Sequence, residues 1–427
     1  SWNPGPRTGQ GNIADGGTEP ENSYQGTVSF SCNDPYPAGL PGEVTFRALD
    51  RGTTTLYSQV ILYTVGSWWV EATDASHPSI YGRQTNISVS PAAAYKFVVS
   101  PRTSRNVPAG SSQEITAYLS DFYGNQTPEA GKPCNLTITD VVGSPGYLTI
   151  TSTTTNANGE IGPINYYVST KAGDKATITV ATGTVTGKSS FITTIGGNPN
   201  YLVFIDTPPA TLVVGNVTSN PFAVQRYDQY GNITDLTKTT VYLKSSSNGT
   251  KKSFRYPQGT ILYSAEPGVD GEINIYAGQN TAYFYYYDEK ASWDEITLGT
   301  FTITVSLDTN FGNSDDDTTP LRVDPDAVVN KLAFSSSPQT FTAGTPSGLI
   351  NIQTRDVFSN PKKVNGDTKI NLYSLSVGTN SFSVNIDTWT PITYVIISTN
   401  TYQQSFYYKD TKSGSQTLKV DEDDSYG

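Results

Sequence analysis

A five-residue phrase recurs three times along the chain and sets its organisation. Asp121-Phe-Tyr-Gly-Asn125 returns as Asp228-Gln-Tyr-Gly-Asn232 and as Asp356-Val-Phe-Ser-Asn360. Each copy follows a run that alternates apolar and polar residues, which is the period of a half-buried β-strand. Successive copies lie 107 and 128 residues apart, the size of one β-sandwich domain. A repeat of this period indicates a tandem array of related domains.

A second phrase precedes each copy and reads as the first strand of a domain. It occurs at residues 95–101, 201–208 and 331–338, and each time it ends in proline. The best-defined repeat has seven or eight short strands in all, including one expected at residues 148–152. Turn signals at this spacing are typical of an immunoglobulin-like sandwich. We therefore predict an all-β chain of four tandem immunoglobulin-like β-sandwich domains, the first incomplete at its N-terminus.

The joints between repeats divide the chain into four segments, called domains one to four below. Domain one covers residues 1–92 and includes an irregular N-terminal segment, and domain two covers residues 93–197. Domain three covers residues 198–327 and carries insertions, and domain four covers residues 328–427. Short linkers join them, so we expect an elongated array with limited interfaces between neighbours.

Composition restricts the class of protein. The net charge of −11 argues against nucleic acid as a partner, since phosphate binding needs clustered Lys and Arg. No apolar stretch reaches the roughly 18 residues that a membrane span requires. The chain starts at Ser1 and contains no Met, so we expect that a targeting segment has been removed. Six Asn-x-Ser/Thr sequons fit a secreted protein.

The repeated phrases resemble the bacterial immunoglobulin-like repeats of large surface proteins, in the style of invasin and intimin. The resemblance rests on the first strand that ends in Pro, the Asp-x-x-Gly-Asn phrase and aromatic runs such as residues 283–287. It covers residues 93–420 almost continuously. It implies a sandwich fold and an extracellular, cell-surface address, and it brings no catalytic residue with it.

Domain one departs from this pattern. Residues 26–90 resemble the middle and the later part of a repeat, and a strand is expected at residues 58–62. The two opening strands have no counterpart, because residues 1–25 are rich in Gly, Pro and Asn and lack a strand period. We expect this domain to be completed by strands from another segment of a longer precursor or from a neighbouring subunit.

One acidic stretch suggests a metal ion. Five carboxylates lie close to the junction of domains three and four, at Asp315, Asp316, Asp317, Asp324 and Asp326. Calcium prefers six to eight oxygen ligands and would neutralise the repulsion among these side chains. The spacing matches no EF-hand, so a solvated acidic linker is favoured over a calcium site. Calcium is the one cofactor that the sequence suggests.

Other candidate features have a structural interpretation beside the functional one. The corner Asp of each repeated phrase is interpreted as a turn former. Tyr283, Tyr285 and Tyr287 would form a platform for sugar rings if they were exposed, but core packing and cross-strand pairing are the favoured explanation, because the run recurs at the same place in three repeats. Cys32 and Cys134 lie one repeat apart, and two free thiols are favoured over a bridge between domains.

Catalysis has little basis in the sequence. Histidine occurs once, at His77, which excludes a His-rich metal site. The insertion at residues 253–274 carries Glu266, Asp270 and Glu272, the single place where paired carboxylates for glycan chemistry suggest themselves. We predict that the chain is not an enzyme and has no catalytic residue.

These observations favour an extracellular structural or adhesive protein. It would be a rod of immunoglobulin-like domains within a large surface protein, a filament or a surface layer. Expected partners are neighbouring copies or other surface proteins, with glycans as a further possibility. The alternative is a carbohydrate- or ligand-binding module of a secreted protein, and a glycan-active enzyme is the least favoured class.

Overall fold

The computed structural model describes residues 24–36, 39–57, 59–206, 211–292 and 299–422. The chain divides into two compact units, Ser1–Ile195 and Gly196–Gly427. Within the described ranges the chain is built from β-strands, with one short 3-10 turn at Ala48–Asp50. No helix in these ranges is both long enough and apolar enough to span a bilayer.

Domain one contributes a single sheet. Its strands are β1 (Thr27–Cys32), β2 (Val44–Thr45), β3 (Gly66–Asp74) and β4 (Tyr81–Val89). They pair in the order β2-β1-β3-β4, and every pairing is antiparallel. The strand expected at residues 58–62 does not form a ladder in the described part of that segment, where Ile61 makes one isolated bridge to Gly39.

Domain two forms a complete sandwich. Its strands are β5 (Lys96–Ser100), β6 (Arg105–Pro108), β7 (Ser112–Ser120), β8 (Pro133–Val142), β9 (Tyr147–Leu148), β10 (Ser152–Thr154), β11 (Glu160–Tyr167), β12 (Lys175–Thr182), β13 (Val185–Lys188) and β14 (Ile192–Ile195). One sheet has the order β5-β7-β11-β9 and the other the order β10-β8-β12-β14-β6. Apolar residues at alternate positions, such as Ile115, Ala117 and Leu119 in β7, fill the core between the sheets.

Two details of domain two correct the sequence prediction. The strand expected at residues 148–152 is divided, because β9 pairs with β11 in one sheet while β10 pairs with β8 in the other. The chain therefore crosses between sheets at this point. The strand β6 was not predicted, since its four residues show no alternation, and it pairs in parallel with β14. It closes the edge that β14 would otherwise expose.

Domain three repeats the plan with longer sheets. Its strands are β15 (Tyr201–Asp206), β16 (Thr211–Val213), β17 (Phe222–Tyr227), β18 (Thr239–Ser245), β19 (Ser253–Arg255), β20 (Ile261–Leu262), β21 (Gly271–Ile275), β22 (Thr281–Tyr287), β23 (Phe301–Ser306) and β24 (Asp317–Asp324). The orders are β15-β17-β22-β19-β20 and β16-β24-β23-β18-β21. The predicted insertion thus extends both sheets. As in domain two, a short strand (β16) lies parallel to the last strand (β24).

Domain four has fewer strands than domains two and three. They are β25 (Lys331–Phe334), β26 (Ile350–Arg355), β27 (Thr368–Ser374), β28 (Asn380–Ser383), β29 (Tyr394–Ile397), β30 (Gln403–Asp410) and β31 (Leu418–Glu422). The sheets are β25-β26-β30-β28 and β29-β27-β31. Because β31 pairs with β27 as β23 pairs with β18, it is the counterpart of β23. Among the described residues of domain four no strand corresponds to β16 or β24.

Three hydrophobic cores lie within three of the predicted domains. Buried side chains from Phe97 to Ile192, from Leu202 to Val323 and from Ile350 to Tyr408 form one cluster each. None of these clusters includes a described residue of domain one. Cys32 and Cys134 are free thiols, as favoured, and Cys134 is buried in the core of domain two.

Candidate functional site at the domain joints

The repeated Asp-x-x-Gly-Asn phrase forms a buried polar corner. In domain two, Asp121 Oδ1 accepts a hydrogen bond from the Asn125 backbone N–H at 2.8 Å. Its Oδ2 accepts from Asn125 Nδ2 at 2.8 Å and from the linker N–H of Ala92 at 3.1 Å. The carboxylate therefore holds its own turn and the incoming linker together.

The other two corners reproduce this geometry. Asp228 accepts hydrogen bonds from the Asn232 backbone and side chain and, at 2.8 Å, from the linker N–H of Gly197. Asp356 makes the same contacts with Asn360 and, at 3.0 Å, with the linker N–H of Asp326. All three Asp side chains are buried. The sequence predicted the turn formed by the corner Asp and Asn, and the structure shows that the corner Asp also accepts a hydrogen bond from the linker backbone.

Hydrogen bonding favours the ionised form of two corner carboxylates, Asp121 and Asp228. Burial raises the pKa of Asp121, but donors from the Asn125 side chain, the Asn125 backbone and Ala92 outweigh burial and hold that pKa below its usual value. The pKa of Asp228 is lowered for the same reasons. A carboxylate that accepts several N–H bonds favours its charged form.

The fourth position of each corner requires left-handed backbone. Gly124 has φ of 98° and Gly231 has φ of 83°. Glycine adopts this conformation without a steric penalty. In domain four Ser359 occupies the position with φ of 77°, so a side chain is held in a conformation that non-glycine residues rarely adopt.

The corner Asn of domain two also reaches domain one. Asn125 Nδ2 donates to the Tyr63 carbonyl at 2.7 Å, and the Val65 N–H donates to Asn125 Oδ1 at 3.0 Å. The side-chain amide thus acts like a peptide group that pairs with backbone groups two residues apart, as in a β-bridge. These contacts lie within the unit Ser1–Ile195.

The joint of domains three and four repeats the arrangement. Asn360 Nδ2 donates to the Glu289 carbonyl at 2.9 Å, and the Ala291 N–H donates to Asn360 Oδ1 at 2.9 Å. Asn360 is 2% exposed. Both joints therefore use the same atoms of the same corner residue. Sequence reasoning interpreted the corner as a local turn and missed this role, because the partners are backbone groups.

An aromatic residue of the corner contacts the preceding domain as well. The Tyr123 ring lies 4.7 Å from the Tyr63 ring, measured between centroids. Phe358, at the same position of its corner, packs against the core of domain three. A Cβ on Gly215 would lie 2.3 Å from the Phe358 ring, so this glycine makes room for it. The aromatic residue adds apolar contact to the polar pair.

The loop that receives Asn360 is itself held by a buried network. Tyr286 OH donates to Asp288 Oδ2 at 2.6 Å and is 2.8 Å from Ser245 Oγ. Asp288 Oδ1 accepts from the Lys290 N–H at 2.7 Å, which fixes the turn between the two residues that Asn360 contacts. Burial and the neighbouring Asp288 carboxylate raise the pKa of Tyr286.

Domain four carries the same network at its far end. Tyr408 OH donates to Asp410 Oδ2 at 2.6 Å and lies 2.6 Å from Ser374 Oγ, and the Lys412 N–H donates to Asp410 Oδ1. Burial and the hydrogen bond to Asp410 raise the pKa of Tyr408 to about 12. In domain one, Asp34 has the corresponding task, since its Oδ2 accepts from the Tyr63 N–H at 2.8 Å.

The five predicted calcium ligands are not gathered at one place. Asp317 and Asp324 begin and end β24, so about 23 Å of strand separates them. Asp324 pairs with Arg322 at 2.5 Å, and Asp326 belongs to the linker that the domain-four corner holds. A single site built on all five carboxylates is therefore excluded by the length of the strand.

The remaining acidic residues precede or begin β24. Asp315 Oδ2 accepts from the Leu307 N–H at 3.1 Å, and Asp317 Oδ2 accepts from the Phe204 N–H at 2.7 Å. Asp316 Oδ2 accepts from the backbone of the same loop, whereas its Oδ1 accepts no hydrogen bond within the described ranges. No group of three or more His, Cys, Asp or Glu side chains in these ranges could hold a metal ion. Calcium binding by this loop stays a prediction.

The tyrosine run of β22 divides between the core and the outer face. Phe284 and Tyr286 are buried, whereas Tyr283 is 48% exposed and Tyr287 is half-buried. The Arg255 guanidinium lies 4.3 Å from the centre of the Tyr287 ring. The outward tyrosines are therefore partly covered by the neighbouring strand.

The carboxylates of the domain-three insertion do not converge. Asp270 Oδ2 accepts from the Ser245 N–H at 2.7 Å and pairs with Lys252 at 2.9 Å. Glu272 accepts from Ser264 Oγ at 3.1 Å, and Glu266 is exposed. Each of these contacts holds a turn or a strand end.

Comparison with known proteins gives fold-level similarity alone. No family model matches the chain. No curated protein matches it. The adhesin FdeC of Escherichia coli is 12% identical over 78% of this chain and 94% of its own, with a TM-score of 0.33. Domains 1–6 of the surface-layer protein SbsC are 13% identical over 95% of this chain and 50% of their own, with a TM-score of 0.21. A β-glycosidase from Bacteroides vulgatus is 9% identical over 54% of this chain and 25% of its own, with a TM-score of 0.21.

The solved structures that are similar to this chain thus include bacterial adhesins and surface-layer proteins.

Proposed function

We propose that this chain is an extracellular structural or adhesive protein, a rod of immunoglobulin-like domains within a surface protein, a filament or a surface layer. The observation that carries the proposal is the double use of the corner Asn. Asn125 and Asn360 each hold the preceding domain through two hydrogen bonds of 2.7 to 3.0 Å. At these two joints the corner side chain thus positions one domain on the preceding one, and a protein that transmits position along an array needs this property.

Unpaired sheet edges support an assembly role. The sheet of domain one, β2-β1-β3-β4, matches the strands β10-β8-β12-β14 of domain two, and no second sheet covers it within the described ranges. Val60 and Ile61, where a strand of that second sheet was expected, are exposed. In domain four, β31 pairs with β27 alone within the described ranges. Open edges of this kind accept strands from other segments or subunits.

Domain two indicates which residue pattern a strand pair that completes domain one would need. There, β5 and β7 supply Phe97, Val99, Ile115 and Leu119 to the core at alternate positions. A strand pair that completes domain one would therefore alternate apolar and polar residues in the same way. We propose that such strands come from another segment of a longer precursor or from a neighbouring subunit. Partners would be copies of this protein or other surface proteins.

The outward tyrosines give the alternative, a carbohydrate- or ligand-binding module. Tyr283 and Tyr287 offer ring faces on the outer surface of domain three, although Arg255 covers part of this surface. Glycan-array binding that Tyr283→Ala abolishes would favour this alternative. A glycan-active enzyme remains the least favoured class, because Asp270 and Glu272 of the insertion are engaged in local contacts.

Amide exchange on the isolated chain tests strand completion. At high dilution, amides of β1, β3 and β4 should exchange much faster than those of β7 and β12, because an uncovered sheet opens locally at low cost. Electron microscopy of native material should then show fibres, sheets or long surface projections. Strong protection across residues 27–90 in a dilute monomer would show that domain one is self-sufficient and would overturn the completion proposal.

A further inference from the structure

The far end of domain four has the same backbone arrangement as the end of domain three that receives Phe358. In domain three, the Gly215 N–H donates to the Asp288 carbonyl at 2.9 Å. In domain four, the Gly344 N–H donates to the Asp410 carbonyl at 2.7 Å. Both glycines have positive φ, 77° and 85°. Gly344 is therefore the counterpart of Gly215.

A second pair of glycines shows which residues correspond in the neighbouring loops of domains three and four. A Cβ on Gly249 would lie 2.6 Å from Asp288 Oδ1, and a Cβ on Gly378 would lie 2.5 Å from Asp410 Oδ1. This places Val377 where domain three has Asn248, a residue of the shallow pocket that Phe358 also lines. The same alignment makes Thr411 and Ser413 the counterparts of Glu289 and Ala291.

The two ends differ in what covers them. Phe358 fills the space beside Gly215, whereas a Cβ on Gly344 would meet no atom within 4 Å. The Glu289 carbonyl and the Ala291 N–H pair with Asn360. The Thr411 carbonyl and the Ser413 N–H make no hydrogen bond within the described ranges.

The loop beside this open position carries exposed apolar side chains, and its Gly378 approaches the same Asp410 that Gly344 contacts. Val377 is 90% exposed and Leu375 is 68% exposed, and both belong to the loop that follows β27. In domain three the same loop carries Ser246 and Asn248. Apolar side chains at such exposure mark a surface that another protein element covers.

We propose that this end of domain four is a docking surface for the corner of a further immunoglobulin-like domain with the sequence Asp-x-Tyr/Phe-Gly/Ser-Asn. The surface consists of Gly344, Val377, Thr411 and Ser413. The incoming aromatic ring occupies the space beside Gly344 and contacts Val377. The incoming Asn amide donates to the Thr411 carbonyl and accepts from the Ser413 N–H.

The occupant is a domain tethered by a short linker. Two hydrogen bonds and one ring bury far less than the roughly 1,200 Å² of a stable interface between separate proteins. A short linker raises the effective concentration to about the millimolar range and makes such a small contact sufficient. A second copy of this chain is a poor donor, since Asn125 and Asn360 already hold their own preceding domains. The inference rests on the same two joints that carry the proposed function.

A tethered copy of domain two supplies the test. The full chain is extended after Glu422 by residues 307–324, which provide a final strand like β24, and then by residues 91–195 with their own linker and corner. The matched control carries Tyr123→Ala and Asn125→Ala in the added copy alone. Amide exchange of Ser413 and hydroxyl-radical oxidation of Val377 are measured in both proteins and in the unextended chain.

The intact extension should slow Ser413 exchange by about tenfold, the effect of one net hydrogen bond, and should reduce oxidation of Val377. The control should behave like the unextended chain at both positions. The proposal would be overturned if the intact and control extensions had the same Ser413 exchange rate and the same extent of Val377 oxidation. The Ala291 amide, which marks an intact joint of domains three and four, must stay protected in both proteins. Protection in the unextended chain that rises with protein concentration would identify a second copy as the occupant and would also overturn it.

Discussion

The Asn360→Ala variant tests the joint most simply. Asn360 makes two hydrogen bonds to domain three, to the Glu289 carbonyl and from the Ala291 N–H, both at 2.9 Å. Its Nδ2 also donates to Asp356, to Oδ2 at 3.1 Å and to Oδ1 at 3.4 Å. The truncation removes all of these bonds, while Asp356 keeps its backbone donors from residues 326 and 360.

The expected cost follows from these bonds. A neutral hydrogen bond contributes about 0.5–1.5 kcal/mol net, and one to a charged group about 1.5–3 kcal/mol. The two bonds to domain three together therefore contribute about 2 kcal/mol to holding the joint closed. That free energy corresponds to a roughly thirtyfold change in the equilibrium between closed and open joint.

Amide exchange at Ala291 gives the readout. In Asn360→Ala the Ala291 amide should exchange about thirtyfold faster, whereas the core amide of Ile352 should keep its rate. Asn360→Asp should accelerate exchange further, because it removes the donor to Glu289 and places a carboxylate beside Asp356. Asn371→Ala, in a strand of the same domain away from the joint, is the control. An Ala291 exchange rate equal to that of the unmodified protein would refute this account of the joint.

Three further changes have defined outcomes. Ser359→Gly should raise the free energy of unfolding by about 1 kcal/mol in urea denaturation, because φ of 77° is strained for serine and free for glycine; a lower free energy would contradict this. The Tyr408 phenol, with its pKa raised to about 12, contributes stability that is present below the unfolded pKa of about 10 and is lost as pH rises towards 12. Between these pH values the free energy of unfolding should therefore fall less in Tyr408→Phe than in the unmodified protein. An equal fall in both proteins would count against the hydrogen-bond network around Tyr408. Calcium, if the acidic loop binds it, should raise the melting temperature, and replacing Asp315, Asp316 and Asp317 with Asn should remove the rise; a melting curve unaffected by chelator would show an ordinary acidic loop.

The sequence predicts the repeat well because its signals are local. Alternating residues such as Ile115 and Leu119 fix the strand period, and Gly124 marks a left-handed turn. The same signals located the corner Asp and Asn residues. They could not show that Asn125 bonds domain one, because its partners are backbone groups that carry no sequence signature.

Other features depend on pairing over long distances. The parallel pair of β6 and β14 joins Arg105 to Ile192, and β6 has too few residues for a visible period. The open edge of β31 became apparent when its register with β27 identified it as the counterpart of β23. The acidic residues of β24 looked clustered in sequence, but an extended strand separates its ends by about 3.3 Å per residue.

Pulsed electron–electron distance measurement across the joint of domains three and four tests the central claim most directly. Spin labels at Tyr263→Cys and Val384→Cys, positions 75% and 59% exposed, are introduced after Cys32 and Cys134 have been replaced with alanine. The account predicts one narrow distance distribution in the otherwise unmodified chain and a broad one when Phe358→Ala and Asn360→Ala are combined. A broad distribution in the unmodified chain, or a narrow one that survives both substitutions, would show that the corner does not position one domain on the next.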